Sequence, residues 1–150
     1  MIRQPLSSPE FESIARELLD DGHAIRFKAT GRSMRPFILD GDEVTAKPVS
    51  ATDLRTGQIV LYRRPSGAVA AHRLVKWSPA SPSVAVVAAD SGFTETETFS
   101  GADILGRIES CRRGSRTIRL DSTFSRTAGL CWYHTRPLRR LLKRLVRYCT

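Results

Sequence analysis

No stretch of this chain approaches the roughly 18 consecutive apolar residues that a membrane-spanning helix needs, so no bilayer-crossing segment is expected. The opening Met1-Ile2-Arg3-Gln4-Pro5-Leu6-Ser7-Ser8 has one Arg but no apolar run behind it. It therefore does not read as a secretory leader, and a cytoplasmic location is expected. Cysteine is scarce too: Cys111, Cys131 and Cys149 are odd in number, far apart and without the close Cys or His pairs that metal sites use. A disulfide framework and a structural zinc are both disfavoured, no metal or organic cofactor is expected, and the thiols read as small, partly buried apolar groups. Internal repeats and low-complexity segments are absent as well, Ser78–Ser83 being only a short Pro/Ser loop.

What is present suits one domain. The chain has 150 residues, 41% of them hydrophobic and 26% charged, with room for one core and one active site. The net charge of +9 is unevenly placed: residues 111–150 hold 11 Lys and Arg against Asp121 alone, which leaves residues 1–110 nearly neutral. A charge block at one end points to an attachment surface for anionic lipid, nucleic acid or an acidic partner, rather than to the chemistry.

Ser8, Pro9 and Glu10 make a helix start, and Phe11, Ile14, Ala15, Leu18 and Leu19 repeat at helical spacing up to Gly22. This predicts a docking helix over residues 9–20. Ile25, Phe27 and Ala29 then alternate with polar residues, the period of a half-buried strand. Further β-rich runs lie at Glu43–Lys47, Ile59–Tyr62, Val69–Trp77, Val84–Ala89, Ile104–Cys111 and Arg116–Leu120, separated by Gly, Pro, Asp and Ser. Many short strands predict a mainly β, β-rich α+β domain with a partly closed antiparallel sheet. The expected organisation is an N-terminal helix in 1–22, the β domain in 23–121 and a basic extension in 122–150.

Within that extension Leu138, Leu141, Leu142, Leu145 and Val146 show helical spacing, flanked by Arg136, Arg139, Arg140, Lys143, Arg144 and Arg147. Such a basic amphipathic helix suits an anionic membrane surface. The same pattern suits a helix that packs its leucines on the domain and leaves its arginines in water.

A serine hydroxyl is a poor nucleophile at neutral pH unless a base adjoins it and donors await the oxyanion. Ser33 stands in a glycine-containing turn, Gly31-Arg32-Ser33-Met34-Arg35-Pro36, followed by Gly41-Asp42, Gly57-Gln58-Ile59-Val60 and Ala71-His72-Arg73-Leu74-Val75. A turn serine alone is usually only a turn former. The ordered series, however, resembles the type I signal peptidase and LexA-like serine peptidase superfamily over about residues 25–108. There the Ser-Met pair carries the nucleophile and a later strand supplies the base. The His72-Arg73 pair resembles the branch of endoplasmic-reticulum, archaeal and sporulating-bacterial signal peptidases, which uses histidine where other branches use lysine. Lys76 does not match the lysine position.

The resemblance implies Ser33 as nucleophile, His72 as base and Asp90 as the acid that orients the imidazole, with Asp103 in reserve. Gly31, Met34 and Pro36 would help to form the substrate and oxyanion surface. Two departures stand out: Gly31 occupies the place where many bacterial members carry a hydroxyl, and no transmembrane anchor is expected from the apolar runs in this sequence. The implied activity is cleavage of a leader or processing segment from a peptide or protein, without metal or cofactor. Two other classes remain in view, a non-catalytic peptide-binding module of the same fold and a LexA-like regulator associated with nucleic acid. Nucleic acid is not the expected partner, because the N-terminal region is too short for a helix-turn-helix domain and the lysine base is missing.

Overall fold

The computed structural model describes residues 8–92 and 95–148. Helix α1 (Ser8–Asp20) opens the fold and places Ala15 and Leu19 in the core, with Phe11 packed at its margin. Ile14 and Leu18, on the same predicted stripe, stay partly exposed. The helix ends at Gly22, where the His23 N–H reaches back to the Leu18 carbonyl at 2.8 Å in a Schellman arrangement.

Eight strands follow: β1 (Ile25–Lys28), β2 (Glu43–Lys47), β3 (Ile59–Arg63), β4 (Val69–Ser78), β5 (Val84–Ala88), β6 (Glu97–Ser100), β7 (Ile104–Arg113) and β8 (Arg116–Arg119). All pair antiparallel in the order β1-β2-β7-β3-β4-β5-β6, an open sheet with β8 added beside β7. Strand β7 joins the two halves: Ile104, Gly106 and Arg107 pair with β3, while Arg107–Arg112 pair with β2 and Ser110–Arg113 with β8.

Strand β3 is buried on both faces, as its unbroken apolar run requires. Ile59 and Leu61 enter a core that also holds Ala15, Met34, Val44 and Ile108; Val60 and Tyr62 enter a second core with Leu74, Ala85 and Val87.

Two elements were not foreseen. The edge strand β6 reads Glu-Thr-Phe-Ser, too short and polar to declare a strand, and it forms by pairing with β5. Helix α2 (Thr123–His134) contains Thr, Ser and Gly, poor helix formers, and is capped by the Ser122 hydroxyl accepting the Ser125 N–H at 3.2 Å. The expected basic helix is α3 (Arg136–Tyr148). Among the described residues no helix is long and apolar enough to cross a membrane. Cys111 and Cys131 are free thiols, while Cys149 lies outside the described residues.

Candidate active site

Ser33 lies in the loop between β1 and β2. The loop closes at its neck, where Ala29 N–H donates to Asp42 O and Gly41 N–H to Ala29 O, both at 2.8 Å. Gly31 takes a φ of +92°, which only glycine adopts without strain, and its N–H donates to Asp40 Oδ1 at 2.8 Å. The Gly31 donor is therefore spent and does not serve an oxyanion. Past Ser33 the chain turns tightly, with Phe37 and Ile38 N–H both 3.0 Å from Met34 O.

Met34, expected at the substrate surface, instead buries its side chain in the core beside Ile38, and so anchors the loop. Pro36 is exposed. Asp42 accepts the Leu39 N–H at 2.8 Å and is gripped by Arg113 through two bonds of 3.0 and 2.7 Å, a guanidinium that holds its carboxyl below the usual range. The Gly41-Asp42 part of the motif thus acts by holding the loop. Burial pushes the neighbouring Cys111 thiol up to about 11, which makes it inert as a nucleophile.

One bond ties the loop to the sheet at the serine itself: Ser91 N–H donates to Ser33 O at 2.9 Å. Ser33 is half-buried, and among the described residues its own N–H makes no backbone hydrogen bond.

His72 is 3% exposed on β4, opposite Val60. β5 pairs with β4 only as far as Arg73↔Ala88, whereas β3 pairs with β4 down to Val69. Among the described residues, Val69–His72 therefore has an open edge on the β5 side. Past Ala88 the chain runs on to Ser91, which holds Ser33. The loop sends Met34 and Ile38 into the core of Ile59 and Leu61, whereas His72, the partner of Val60, faces the other side of the sheet. No hydrogen bond joins the Ser33 hydroxyl to His72 among the described residues.

The imidazole is oriented by groups that sequence reasoning did not name. Tyr62 Oη is 2.9 Å from His72 Nδ1 and donates to Glu97 Oε2 at 3.0 Å. Glu97 is held by Arg64 through bonds of 3.1 and 2.6 Å and is kept ionised. A phenol has one proton, and here it goes to the carboxylate. The Tyr62 oxygen is then left to accept from Nδ1–H, an arrangement that puts the lone pair on Nε2. Burial, then Arg64 and Arg136, lower the His72 pKa to about 4, with Glu97 opposing them. The ring is neutral at pH 7, as a base must be. Tyr62 itself stacks on Phe99 with ring centroids 4.3 Å apart.

Asp90, expected beside the imidazole, has another partner. Its two oxygens accept from Arg73 Nε and Nη2, both at 2.7 Å, and the pair is almost fully buried. Asp103 bonds Arg63 at 3.2 Å near the surface. The place at Nδ1 belongs to Tyr62, with the Glu97 carboxylate 3.7 Å from that nitrogen. Arg73 and His72, adjacent on a strand, point to opposite faces. On its face Arg73 also donates to Gly57 O at 2.7 Å and lies 4.7 Å from the Phe37 ring centroid, so it braces the serine loop.

Helix α2 closes over this ion pair. Trp132 Nε1 donates to Asp90 O at 2.7 Å, and Gly129 lies so close that an added Cβ would overlap the Arg73 guanidinium. Gly129→Ala is therefore expected to lower stability by about 3 kcal/mol, as overpacking does in rigid cores. Urea unfolding checks this, and an unchanged midpoint would contradict the close packing.

No known protein family, curated protein or solved structure matches the chain.

Proposed function

We propose that this protein is a serine endopeptidase resembling signal peptidases, which cleaves a leader or processing segment from a peptide or protein substrate. The observation that supports the reading is the Glu97–Tyr62–His72 chain, which orients a neutral imidazole and leaves its Nε2 as an acceptor. Ser33 Oγ attacks the scissile carbonyl carbon and its proton passes to His72 Nε2. The oxyanion is met by the Ser33 N–H. The imidazolium formed lies near the ionised Glu97. It returns the proton to the leaving amine as the C–N bond breaks, and water, deprotonated by the same nitrogen, hydrolyses the acyl-serine. An extended substrate adds to the open edge of Val69–His72 by backbone hydrogen bonds.

The missing Ser33–His72 hydrogen bond favours one other reading, a non-catalytic peptide-binding module. Labelling by a serine-directed phosphonate or penem separates the two. Adduct on Ser33, located by mass spectrometry, is expected for a peptidase; a folded protein that never labels is a binding module.

The pH dependence carries a further expectation. Labelling needs neutral His72, so its rate should stay flat down to about pH 5 and fall around pH 4, not around the 6.5 of an ordinary histidine. Stability changes over the same interval. Between 6.5 and about 4 the unfolded chain protonates His72 while the folded chain does not. Stability contributed by this group is therefore complete above 6.5 and declines as pH falls, by about 3 kcal/mol in all. Rates are accordingly read per folded molecule, with circular dichroism giving the folded fraction. A labelling midpoint near 6.5 would mean that His72 is not the base.

A further inference from the structure

Helix α3 presents an apolar stripe to solvent. Leu138, Leu141, Leu142 and Leu145 are between 51% and 56% exposed and Val146 is 65% exposed, so the leucines do not pack on the domain. Five large apolar side chains on one short helix form the kind of patch that marks an interaction site.

The cations of α3 divide into two uses. Arg136 donates to Ala89 O, Arg140 to Gly92 O at 2.9 Å and Arg139 to Trp132 O at 2.6 Å, with the Arg139 guanidinium 3.6 Å from the Trp132 ring centroid. Arg136 and Arg140 thus fix the first half of the helix to the segment whose Ser91 N–H holds the serine loop, and Arg139 fixes it to α2. Arg144 and Arg147 are exposed in the second half, and α3 contains no acid. Between α2 and α3 lies a groove of about 690 Å³ whose lining includes Tyr133, His134, Arg136, Arg140, Leu141 and Arg144. Three of its lining residues are arginines, and Leu141 of the apolar stripe borders it.

We infer that α3 is an interfacial anchor that docks the protein on an anionic phospholipid bilayer, with its leucine stripe among the acyl chains and headgroup phosphates against Arg144 and Arg147. Charge complementarity and the apolar stripe together select this partner. A nucleic-acid backbone would use the arginines and leave the leucines in water. A second copy would bury the leucines while bringing like-charged flanks together. A bilayer uses both. Because Arg136 and Arg140 bind the segment that holds Ser33, docking sets the serine loop at a fixed orientation to the membrane, where a membrane-attached substrate segment would meet it.

The test is co-sedimentation of the full chain with phosphatidylcholine vesicles, with and without phosphatidylglycerol. Expected is binding that requires phosphatidylglycerol and weakens at least about tenfold when salt is raised to the molar range, where the Debye length is short. Leu142→Glu/Leu145→Glu should weaken it at least about a hundredfold, with circular dichroism and thermal unfolding unchanged. Arg144→Glu/Arg147→Glu, which leaves the stripe intact, should weaken it about tenfold or more. Three results would overturn the inference: equal binding to neutral vesicles, tighter binding to duplex DNA that ignores the leucine variant, or a concentration-dependent dimer that the leucine variant abolishes. None depends on peptidase activity, so the anchor and the proposed reaction fail separately.

Discussion

Ser33→Ala is expected to reduce turnover of any peptide that the wild-type protein cleaves by at least about 10³-fold and to abolish phosphonate labelling. Its unfolding free energy should change by less than about 0.5 kcal/mol, because the loop is held by the backbone of Ser33 and by Met34, Ile38 and Asp42 rather than by the serine hydroxyl. His72→Ala should cost activity to a similar degree, and the double variant little more, since nucleophile and base act as a unit.

Tyr62→Phe tests the orienting chain. It removes the acceptor for Nδ1–H and is expected to lower kcat roughly 10²-fold with KM unchanged, a smaller loss than the 10⁴ that follows when the orienting carboxylate of a serine protease is altered. Glu97→Gln removes the charge that raises the His72 pKa, so the acid midpoint of the rate should move still lower. A purely structural Tyr62 would change stability and leave kcat per folded molecule alone. Full activity in Ser33→Ala, measured by mass spectrometry of the peptide products, would overturn the mechanism.

Sequence periodicity located most of the fold because it reports burial. The strand alternation at Ile25 and Phe27, the apolar run of β3 and the helical spacing in α1 and α3 each match an element of the structure. Elements stabilised by tertiary contact escaped. In α2 the glycine that marks it as a weak helix is the residue that fits against Arg73, and β6 exists because β5 offers it an edge. In the candidate site, Ser33 and His72 stood out by motif, whereas the groups around the imidazole depend on strand register. Tyr62 lies two residues from Val60, the partner of His72, and therefore shares its face. Pairing β3 with β4 about the Pro65-Ser66-Gly67 turn would have found it. Glu97 comes from the unforeseen edge strand, and no pattern around it signalled its role. Asp90 looked like a catalytic acid only through the resemblance, in which an acid after the His strand orients the base, but adjacent residues of a strand face opposite ways and the carboxylate lies on the side of Arg73.

That placement makes Asp90 a stability residue, and its substitution has the second large expected effect. Asp90→Ala leaves the Arg73 guanidinium, 1% exposed, without its counter-charge in a site closed by Phe37, Gly129 and Trp132. Removing one partner of a buried pair costs about 3–5 kcal/mol, because the remaining charge must be desolvated alone. For a chain of this size that corresponds to a fall in Tm of roughly 10 °C. Replacing both partners with apolar groups, Arg73→Met/Asp90→Leu, removes the unpaired charge and should recover part of the loss, although Gly57 O then lacks its donor. Calorimetry of the two variants checks the order. A catalytic Asp90 would give the opposite pattern, with Asp90→Ala melting like the wild type while its labelling rate collapses. A structural Asp90 yields a labelling rate per folded molecule near that of the wild type, since the Tyr62–Glu97 chain on the opposite face of β4 still holds the imidazole.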